Sequence, residues 1–461
     1  FPSASVGWRL SEEKFMGWSE GWLDNFKIRL SAGSMGNGNV DPYSYTSEMT
    51  VATASDIVLG GGLPSYTTVG STVPVSLTWE KSTTYDLGLD LDFLNNRLSF
   101  SGDYYRRYTT DMYTPSISLP SVYGTTSPKG NNAELRTTGW ELSLTWRDSF
   151  KLGGKPFDYS IKAMVWDSKS VITKYVNDTG SLGTVKGFIE NGGSPSSYYV
   201  GMTVGEIWGY TVAGLFRDQA DIDSSAIHDF VQASDKVTRP GQVKIADLDG
   251  NGFIDPGNFA VDDHGDLRII GNQSPRYRYG VNLSARWNGI GLSVFLQGVG
   301  ARDWYPGSDA GMFWGKYGRP FFALIPSIHN YTDDMYSAER NNWDTAYWPR
   351  MTTYQSNGTK NWTRLLEIPN TRYIQSAAYL RVKNIQVDYT FPKALCQKIR
   401  LGGLKIYLSG ENLFTFTPLH KYAPNFDPEA LGYDTDFSST AGDGYTYPVL
   451  KSVTLGVNIT F

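Results

Sequence analysis

The carboxy-terminal segment of the chain alternates between apolar and polar residues. From Val453 to Phe461 every second residue is apolar, and the residues between them are Thr454, Gly456, Asn458 and Thr460. This period of two predicts a β-strand with one apolar face and one polar face. Such a strand can cover a soluble core. It can equally belong to a transmembrane barrel, where lipid contacts one face and a polar lumen the other.

The same alternation recurs along the chain. It predicts about eleven strands, at residues 2–10, 25–35, 83–93, 98–106, 138–147, 158–167, 277–287, 290–298, 379–391, 404–416 and 449–461. The gaps are short at 94–97, 148–157, 288–289 and 392–403, and long at 107–137, 168–276, 299–378 and 417–448. Outer-membrane barrels have short periplasmic turns and long extracellular loops. The pattern therefore predicts an all-β, antiparallel transmembrane β-barrel with every short turn on the periplasmic rim.

Aromatic residues lie at both ends of the predicted apolar faces, as the girdles of a membrane barrel require. The turn-proximal set is Phe93, Trp146, Trp287, Phe391 and Phe461, and the opposite set is Tyr85, Tyr104, Trp140 and Tyr277. Between them the outward positions are apolar, for example Leu87, Leu89 and Leu283. The inward positions include Asp86, Asp90, Arg278 and Arg286, which we expect to line the lumen. A soluble β-sandwich also alternates, but the strict order of short and long gaps disfavours it.

Composition permits a barrel and excludes several other classes. Aromatic residues make up 14% of the 461 residues at a mean hydropathy of −0.34, which suits half-apolar strands with large polar loops. A spanning helix needs about 18 consecutive apolar residues, and the sequence has no such run. The net charge of −5 gives no support to a nucleic-acid partner. The four histidines lack metal-ligand spacing, the lone Cys396 cannot form an internal disulfide, and no nucleophile or phosphate-binding motif is present.

The number of predicted strands is odd, which has a topological consequence. Bacterial single-chain barrels have an even number of strands with both ends on the periplasmic side. Here the amino end would emerge on the long-loop side, so we expect upstream sequence to supply the remaining strands. Phe1 would then lie in or beside an exposed loop. A proteolytic nick, a split gene and a partial sequence would all produce this situation.

Several blocks of sequence resemble one family, in the same order along the chain. They are FPSASVGWRLSEE, NAELRTTGWELSLTW, VGEIWGYTVAGLF, KIADLDGNGFID, IIGNQSPRYRYGVNLSARWNGIGLSVFLQGV, YLRVKNIQVDYTFP, LKIYLSGENLFTF and VTLGVNITF. They resemble the carboxy-terminal half of the SusC-like (RagA-like) TonB-dependent transporters of Bacteroidetes outer membranes. The resemblance implies that residues 1–461 form half of a barrel of roughly twenty-two strands. The family's plug domain, amino-terminal strands and TonB-contacting segment have no counterpart in these residues.

The resemblance also implies a function, which is transport rather than enzymatic chemistry. Such transporters import nutrients too large for porins, usually oligosaccharides and sometimes peptides. A SusD-like surface lipoprotein closes over the extracellular mouth, and TonB acts on the plug. We expect this chain to be part of such an importer, in contact with outer-membrane lipid. A passive porin or adhesin barrel and a soluble glycan-binding β-sandwich are the alternatives.

One motif has the spacing of a calcium-binding loop. In DLDGNGFID, Asp247, Asp249, Asn251 and Asp255 occupy positions 1, 3, 5 and 9 of an EF-hand-type loop, and Phe253 offers its carbonyl. The twelfth position is Asn258, so a later carboxylate, Asp266, Asp262 or Asp263, must replace the usual Glu. The motif predicts a structural Ca²⁺ that stabilises loop 168–276. The alternative is a turn whose Asp and Asn side chains cap their own backbone.

Loop 299–378 is unusually aromatic. Its aromatic residues include Trp304, Trp314, Tyr317, Trp343 and Trp348, and charged residues lie between them. Exposed aromatic side chains could bind the lipoprotein lid or stack on a substrate. Alternatively, they form a core within the loop itself.

Overall fold

The computed structural model describes residues 1–38, 46, 49–70, 77–115, 122, 129–177, 180–183, 198–227, 238–306, 310–314, 334–350, 369–431 and 449–461. The strands in these residues are β1 (Ser3–Arg9), β2 (Leu23–Asn37), β3 (Met49–Thr53), β4 (Ser65–Val69), β5 (Glu80–Phe93), β6 (Leu98–Pro115), β7 (Lys129–Leu152), β8 (Lys155–Lys174), β9 (Glu206–Tyr210), β10 (Val212–Leu215), β11 (Val243–Ile245), β12 (Leu267–Asn272), β13 (Arg276–Trp287), β14 (Ile290–Ala301), β15 (Asp303–Trp304), β16 (Gln375–Ser376), β17 (Tyr379–Thr390), β18 (Gly403–Phe416) and β19 (Ser452–Thr460). Short α-helices span Gln219–Asp223, Gly311–Trp314 and Lys393–Lys398, and 3₁₀-helices span Leu10–Glu12, Lys14–Ser19 and Pro418–Lys421.

One antiparallel sheet of 11 strands forms the main body of the fold. Its order is β1-β2-β5-β6-β7-β8-β13-β14-β17-β18-β19, so strands that follow each other along the main sheet also pair with each other. All the strands predicted from the alternating pattern are members of this sheet. The eleven predicted strands are therefore confirmed. Successive side chains of a strand point to opposite faces, so a two-residue period identifies a strand whose two faces differ chemically. Within the described residues the sheet is open, because β1 and β19 each pair on one side only.

The register aligns the apolar residues of successive strands into continuous rows. One row crosses nine strands through Phe26, Leu91, Phe100, Leu144, Ala163, Val281, Leu296, Val382 and Phe414. A one-residue slip would move a whole strand's apolar set to the other face, so this register is strongly specified. We call this side of the sheet the apolar face.

The apolar face is exposed rather than covered by protein. Leu408 is 52% exposed and Val457 is 54% exposed, while Leu89 and Leu283 are half-buried by their neighbours on the same face. A soluble sandwich would bury this face against a second sheet. The soluble-sandwich alternative is therefore wrong, and the face has the character of a surface that contacts lipid.

Two of the predicted connections differ from the structure. Strands β6 and β7 remain paired beyond residues 106 and 138, as far as Pro115 opposite Lys129, so much of the predicted long loop 107–137 is strand. Strands β7 and β8 are joined by Gly153 and Gly154 alone rather than by residues 148–157. Both glycines have positive φ, as a tight hairpin requires. Residues 107–115 of β6 no longer alternate between apolar and polar. They are rich in Thr and Tyr, which favour strands, so backbone pairing extends through them.

The connection between β1 and β2 is a compact aromatic turn that the sequence pattern did not predict. It consists of the two 3₁₀-helices Leu10–Glu12 and Lys14–Ser19. Phe15 packs edge-on against Trp8, which is on the apolar face, with 6.4 Å between the ring centroids. Trp22 stacks on Phe93 at 5.9 Å. The turn therefore folds back against the apolar face at the short-turn rim.

The long connections pack into a second core on the opposite side of the sheet. Small two-stranded sheets, β9 with β12, β10 with β11, and β15 with β16, carry this core. Its fully buried side chains include Leu182, Tyr210, Phe259, Leu267, Phe313, Trp348, Tyr373 and Leu419. Among the described residues, no helix is both long and apolar enough to cross a membrane.

Candidate functional site

The polar face of the main sheet carries shared ion pairs. Arg29 Nε donates to Asp90 Oδ2 at 2.8 Å, and Arg29 Nη2 lies 2.9 Å from Asp103 Oδ1. The Ser101 hydroxyl donates to the second oxygen of Asp90 at 2.8 Å. Asp86 lies on the same face of β5 and is half-buried. Arg29 and Lys27, which lies opposite Asp90, thus face the three carboxylates of Asp86, Asp90 and Asp103, so these five residues carry a net negative charge.

A second group of charged residues on the same face has a net positive charge. Asp388 on β17 is buried, and its carboxylate lies 3.2 Å from Lys405 Nζ and 3.7 Å from Arg286 Nη2. Gly291 leaves room for this carboxylate, because a Cβ at that position would lie 2.6 Å from Asp388 Oδ1. Arg278 is exposed on the same face. The four residues predicted to line the lumen, Asp86, Asp90, Arg278 and Arg286, therefore share the polar face.

A third network attaches a long connection to the sheet, and sequence reasoning missed it. Arg381 on β17 donates to Asp427 and, at 2.6 Å, to Glu429, while Lys383 Nζ donates to Glu429 at 2.9 Å. Arg302 donates to the carbonyl oxygens of Pro428 and Leu431 nearby. These residues are far apart in sequence, so no local spacing could have identified them.

The Asp-rich loop brings three of its predicted ligands together. The carboxylate oxygens of Asp247, Asp249 and Asp266 lie within 4.8 Å of one another. Asp266 is fully buried and accepts hydrogen bonds from the backbone N–H groups of Leu248 and Asp255. It is therefore Asp266 that joins Asp247 and Asp249 in the place of the missing twelfth-position Glu.

The predicted ligands also form hydrogen bonds within the loop. Asp255 accepts hydrogen bonds from the side-chain amide of Asn251 and the N–H of Gly257, and Asn251 Oδ1 accepts from the N–H of Phe253. Asp247 accepts from the N–H groups of Gly252 and Gly250. These bonds are those of a loop that caps its own backbone, so the arrangement has features of both predicted alternatives.

The carboxylates of this loop repel one another. Burial raises the pKa of Asp266, and the negative charges of Asp249 and Asp247 raise it further. Hydrogen bonds from the N–H groups of Gly252 and Gly250 lower the pKa of Asp247. A hard divalent cation prefers oxygen ligands of this kind and would offset the repulsion between the carboxylates. Asp247, Asp249 and Asp266 are the residues that would hold such an ion.

The described residues of the aromatic loop include a packed core. Trp348 is fully buried and stacks on Tyr373 with 5.6 Å between the ring centroids. Trp314 packs edge-on against Trp348 at 6.2 Å, and Trp304 contacts Phe426 at 5.0 Å. The expected contact of Trp304, Trp314 and Trp348 with a partner or substrate is wrong, because their side chains are buried in this core. Trp343 is 36% exposed, and Tyr317 lies outside the described residues.

Comparison with known proteins gives a consistent result. The sequence family described as "TonB dependent receptor-like, beta-barrel" matches residues 1–413. TonB-dependent receptor P3 of Formosa agariphila is 27% identical over 468 residues, and the match covers 100% of this chain and 42% of that protein. TonB-dependent receptor SusC of Bacteroides thetaiotaomicron is 24% identical over 468 residues, covering 100% of this chain and 40% of SusC. The chain thus spans about two fifths of the length of these relatives.

Solved structures show the same fold. The structure of the RagAB peptide transporter matches with a TM-score of 0.66 at 18% identity, covering 100% of this chain and 43% of that chain. The RagAB peptide importer in its "closed-closed" state matches with a TM-score of 0.67 at 19% identity, with the same coverage.

Proposed function

Because this chain belongs to the TonB-dependent receptor-like β-barrel family, we propose that it forms the carboxy-terminal wall of an importer that takes up oligosaccharides or peptides. The family consists of outer-membrane transporters rather than enzymes. The importer would also include upstream barrel strands and a plug domain, would receive energy through TonB, and would work with a SusD-like lipoprotein lid. One observation carries the proposal: an apolar row crosses nine strands on one face while charged residues line the other.

The polar face supports passage of a hydrophilic nutrient. Arg29, Asp90 and Asp103 give one part of this face a net negative charge, and Arg286, Lys405 and Asp388 give another part a net positive charge. We propose that these groups bind the polar surface of the plug and leave a hydrated path when the plug moves. RagAB is a peptide importer, which supports peptides as one substrate class for this chain, and the likeness to SusC supports the SusC-like class of importer.

The exposed Trp343 supports a contact with the lid. It follows Asn342, whose side chain accepts a hydrogen bond from the N–H of Ser337 and donates one to the carbonyl of Met335, which holds this part of the connection in place. An exposed aromatic on a rigid support is a favourable anchor at a protein interface. We propose that Trp343 contacts the lipoprotein.

A structural Ca²⁺ at the Asp-rich loop completes the proposal. Asp247, Asp249 and Asp266 would bind it, and the ion would stabilise the connection between β8 and β13. No transport step depends on it.

The test is mass spectrometry of the full-length protein, tagged and purified intact in detergent. The importer predicts co-purification of a surface lipoprotein and a retained oligosaccharide or peptide. Deletion of the gene should abolish growth on that nutrient. A pure barrel that conducts ions in planar bilayers without a partner would instead support a passive porin.

A further inference from the structure

The apolar face changes character at the long-loop ends of β6, β7 and β8. Its residues on β6 run from Leu98 and Phe100 to Tyr104, and Arg106 follows. On β7 they run from Leu144 and Leu142 to Trp140, and Arg136 lies beyond. On β8 Val165 is followed on this face by Asp167 and then by Lys169. We call Arg106, Arg136 and Lys169 the outer basic cluster, and all three are exposed.

The register makes these cations neighbours. Thr138 on β7 lies opposite both Arg106 on β6 and Lys169 on β8, and Arg136 lies two residues further along β7. Arg136 is therefore a diagonal neighbour of both other cations, at about 7–8 Å between backbone positions. Long arginine and lysine side chains can converge on one group across such distances.

The nearby acidic residues are already paired. Glu134 lies 3.6 Å from Lys174, Asp111 lies 3.5 Å from Lys81, and Asp167 accepts hydrogen bonds from Arg276. No described carboxylate forms an ion pair with a member of the outer basic cluster. The cluster therefore keeps its positive charge on the face that contacts lipid.

The height of the cluster suits a membrane interface. Arg106 is eight residues beyond Leu98, and a strand tilted by about 40° rises about 20 Å over that length. The apolar band of such barrels is about 25 Å tall. A cation is disfavoured at the middle of the bilayer and tolerated at its edge, where tyrosines also concentrate. Tyr104 and Tyr108 flank Arg106 on the strand, and their hydroxyls interact with it.

An apolar groove leads to Arg106. Its lining includes Val6, Leu30, Leu87, Tyr104 and Arg106, on strands β1, β2, β5 and β6. Such a groove fits an acyl chain lying along the barrel, with its headgroup at the level of Arg106.

We propose that the outer basic cluster binds the phosphate of a lipid headgroup in the extracellular leaflet, with an acyl chain of the same lipid in the adjoining groove. Guanidinium groups bind phosphate oxygens through charge-assisted hydrogen bonds, and basic clusters attract anionic lipid. The groove is continuous with the apolar face that contacts the bilayer, so the ligand is a lipid rather than free phosphate.

The experiment uses the full-length protein in phosphatidylethanolamine nanodiscs that contain a minor fraction of monophosphoryl lipid A or its dephosphorylated form. Lipid retained after release into detergent is counted by native mass spectrometry. The wild-type protein should retain about tenfold more of the phosphorylated lipid. The triple variant R106Q/R136Q/K169Q should lose this preference.

The matched control is R107Q/R147Q/K162Q, which removes three cations from the polar faces of the same strands. It should retain the phosphorylated lipid as the wild type does. Equal retention of the two lipids by the wild type, or equal loss in both triple variants, would overturn the proposal. The wild-type comparison needs no variant, so it remains decisive if the first triple variant does not fold.

Discussion

Arg381 and Asp427 form an ion pair that is almost completely removed from solvent, with side-chain exposures of 3% and 11%. The pair joins strand β17 to the connection that precedes β19, across 46 residues of sequence. Glu429 accepts a second hydrogen bond from the same guanidinium. Arg381 therefore provides the most buried of the attachments that hold this connection above the polar face, beside those of Lys383 and Arg302.

Replacing Arg381 with Gln should release this connection. Removing one partner of a buried ion pair leaves uncompensated charge, at a cost of about 3–5 kcal/mol. Amide hydrogen exchange of residues 418–431 should become much faster, while exchange in the main sheet stays slow. Arg278→Gln is the control, because Arg278 is exposed on the same face. Equal exchange in the two variants would show that the ion pair does not hold the connection.

Calcium should stabilise the Asp-rich loop. At a hundred times its dissociation constant a ligand stabilises the folded state by about 2.7 kcal/mol. We expect Ca²⁺ to slow proteolysis within residues 238–266, and Asp249→Asn to abolish that protection by removing a carboxylate. Asp262→Asn should keep it, since Asp262 is outside the cluster of three carboxylates. Elemental analysis of the purified protein gives the number of calcium ions bound per chain. Equal resistance to proteolysis with and without Ca²⁺ would contradict the calcium site and support the turn that caps its own backbone.

Replacing two tryptophans of one connection with alanine should affect different properties, namely stability at Trp348 and lid binding at Trp343. Trp348→Ala should destabilise the loop core by about 3–5 kcal/mol, because it removes a fully buried aromatic side chain. Trp343→Ala should leave thermal unfolding nearly unchanged and weaken co-purification of the lipoprotein lid. Differential scanning calorimetry and quantitative pull-down measure the two effects. A Trp343→Ala variant that binds the lid normally would remove Trp343 from that interface.

The aromatic turn between β1 and β2 should lie at the periplasmic edge of the bilayer. Phe15 and Trp22 pack against residues of the apolar face, and Trp18 contacts Trp22 at 5.8 Å. Cys396 is buried and is the sole cysteine, so a Cys396→Ser background permits single-site spin labelling. A label at Trp18→Cys should be more accessible to dissolved oxygen than to a water-soluble nickel complex, and a label at Glu20→Cys should show the reverse. Equal accessibility at both positions would place the turn in water.

The sequence predicted the strands well because a barrel wall repeats one simple rule. Each strand must present apolar residues to lipid, so residues such as Leu89, Leu283 and Val457 are identifiable from their period alone. The limits of β6 and β7 were not predictable in this way. Beyond the membrane the two faces meet similar solvent, so the pairing of Pro115 with Lys129 has no alternating signature.

The candidate sites were predictable only where their residues are close in sequence. The spacing of Asp247 and Asp249 indicated a cation loop, but selecting Asp266 among three later carboxylates required the fold of the chain. Arg381 and Asp427 carried no local signal at all. The burial of Trp348 could not be predicted from the sequence either, because a loop core and an exposed binding surface have the same amino-acid composition.

Strand β7 contains 24 residues, whereas crossing a bilayer in a tilted strand takes about 9–11 residues. The strands β6 and β8 are also longer than this. The additional residues of these three strands extend the sheet beyond the lipid surface. In the proposed importer, nutrients would therefore reach the entrance some distance outside the membrane, at hydrogen-bonded strand ends whose height does not depend on the thickness of the bilayer.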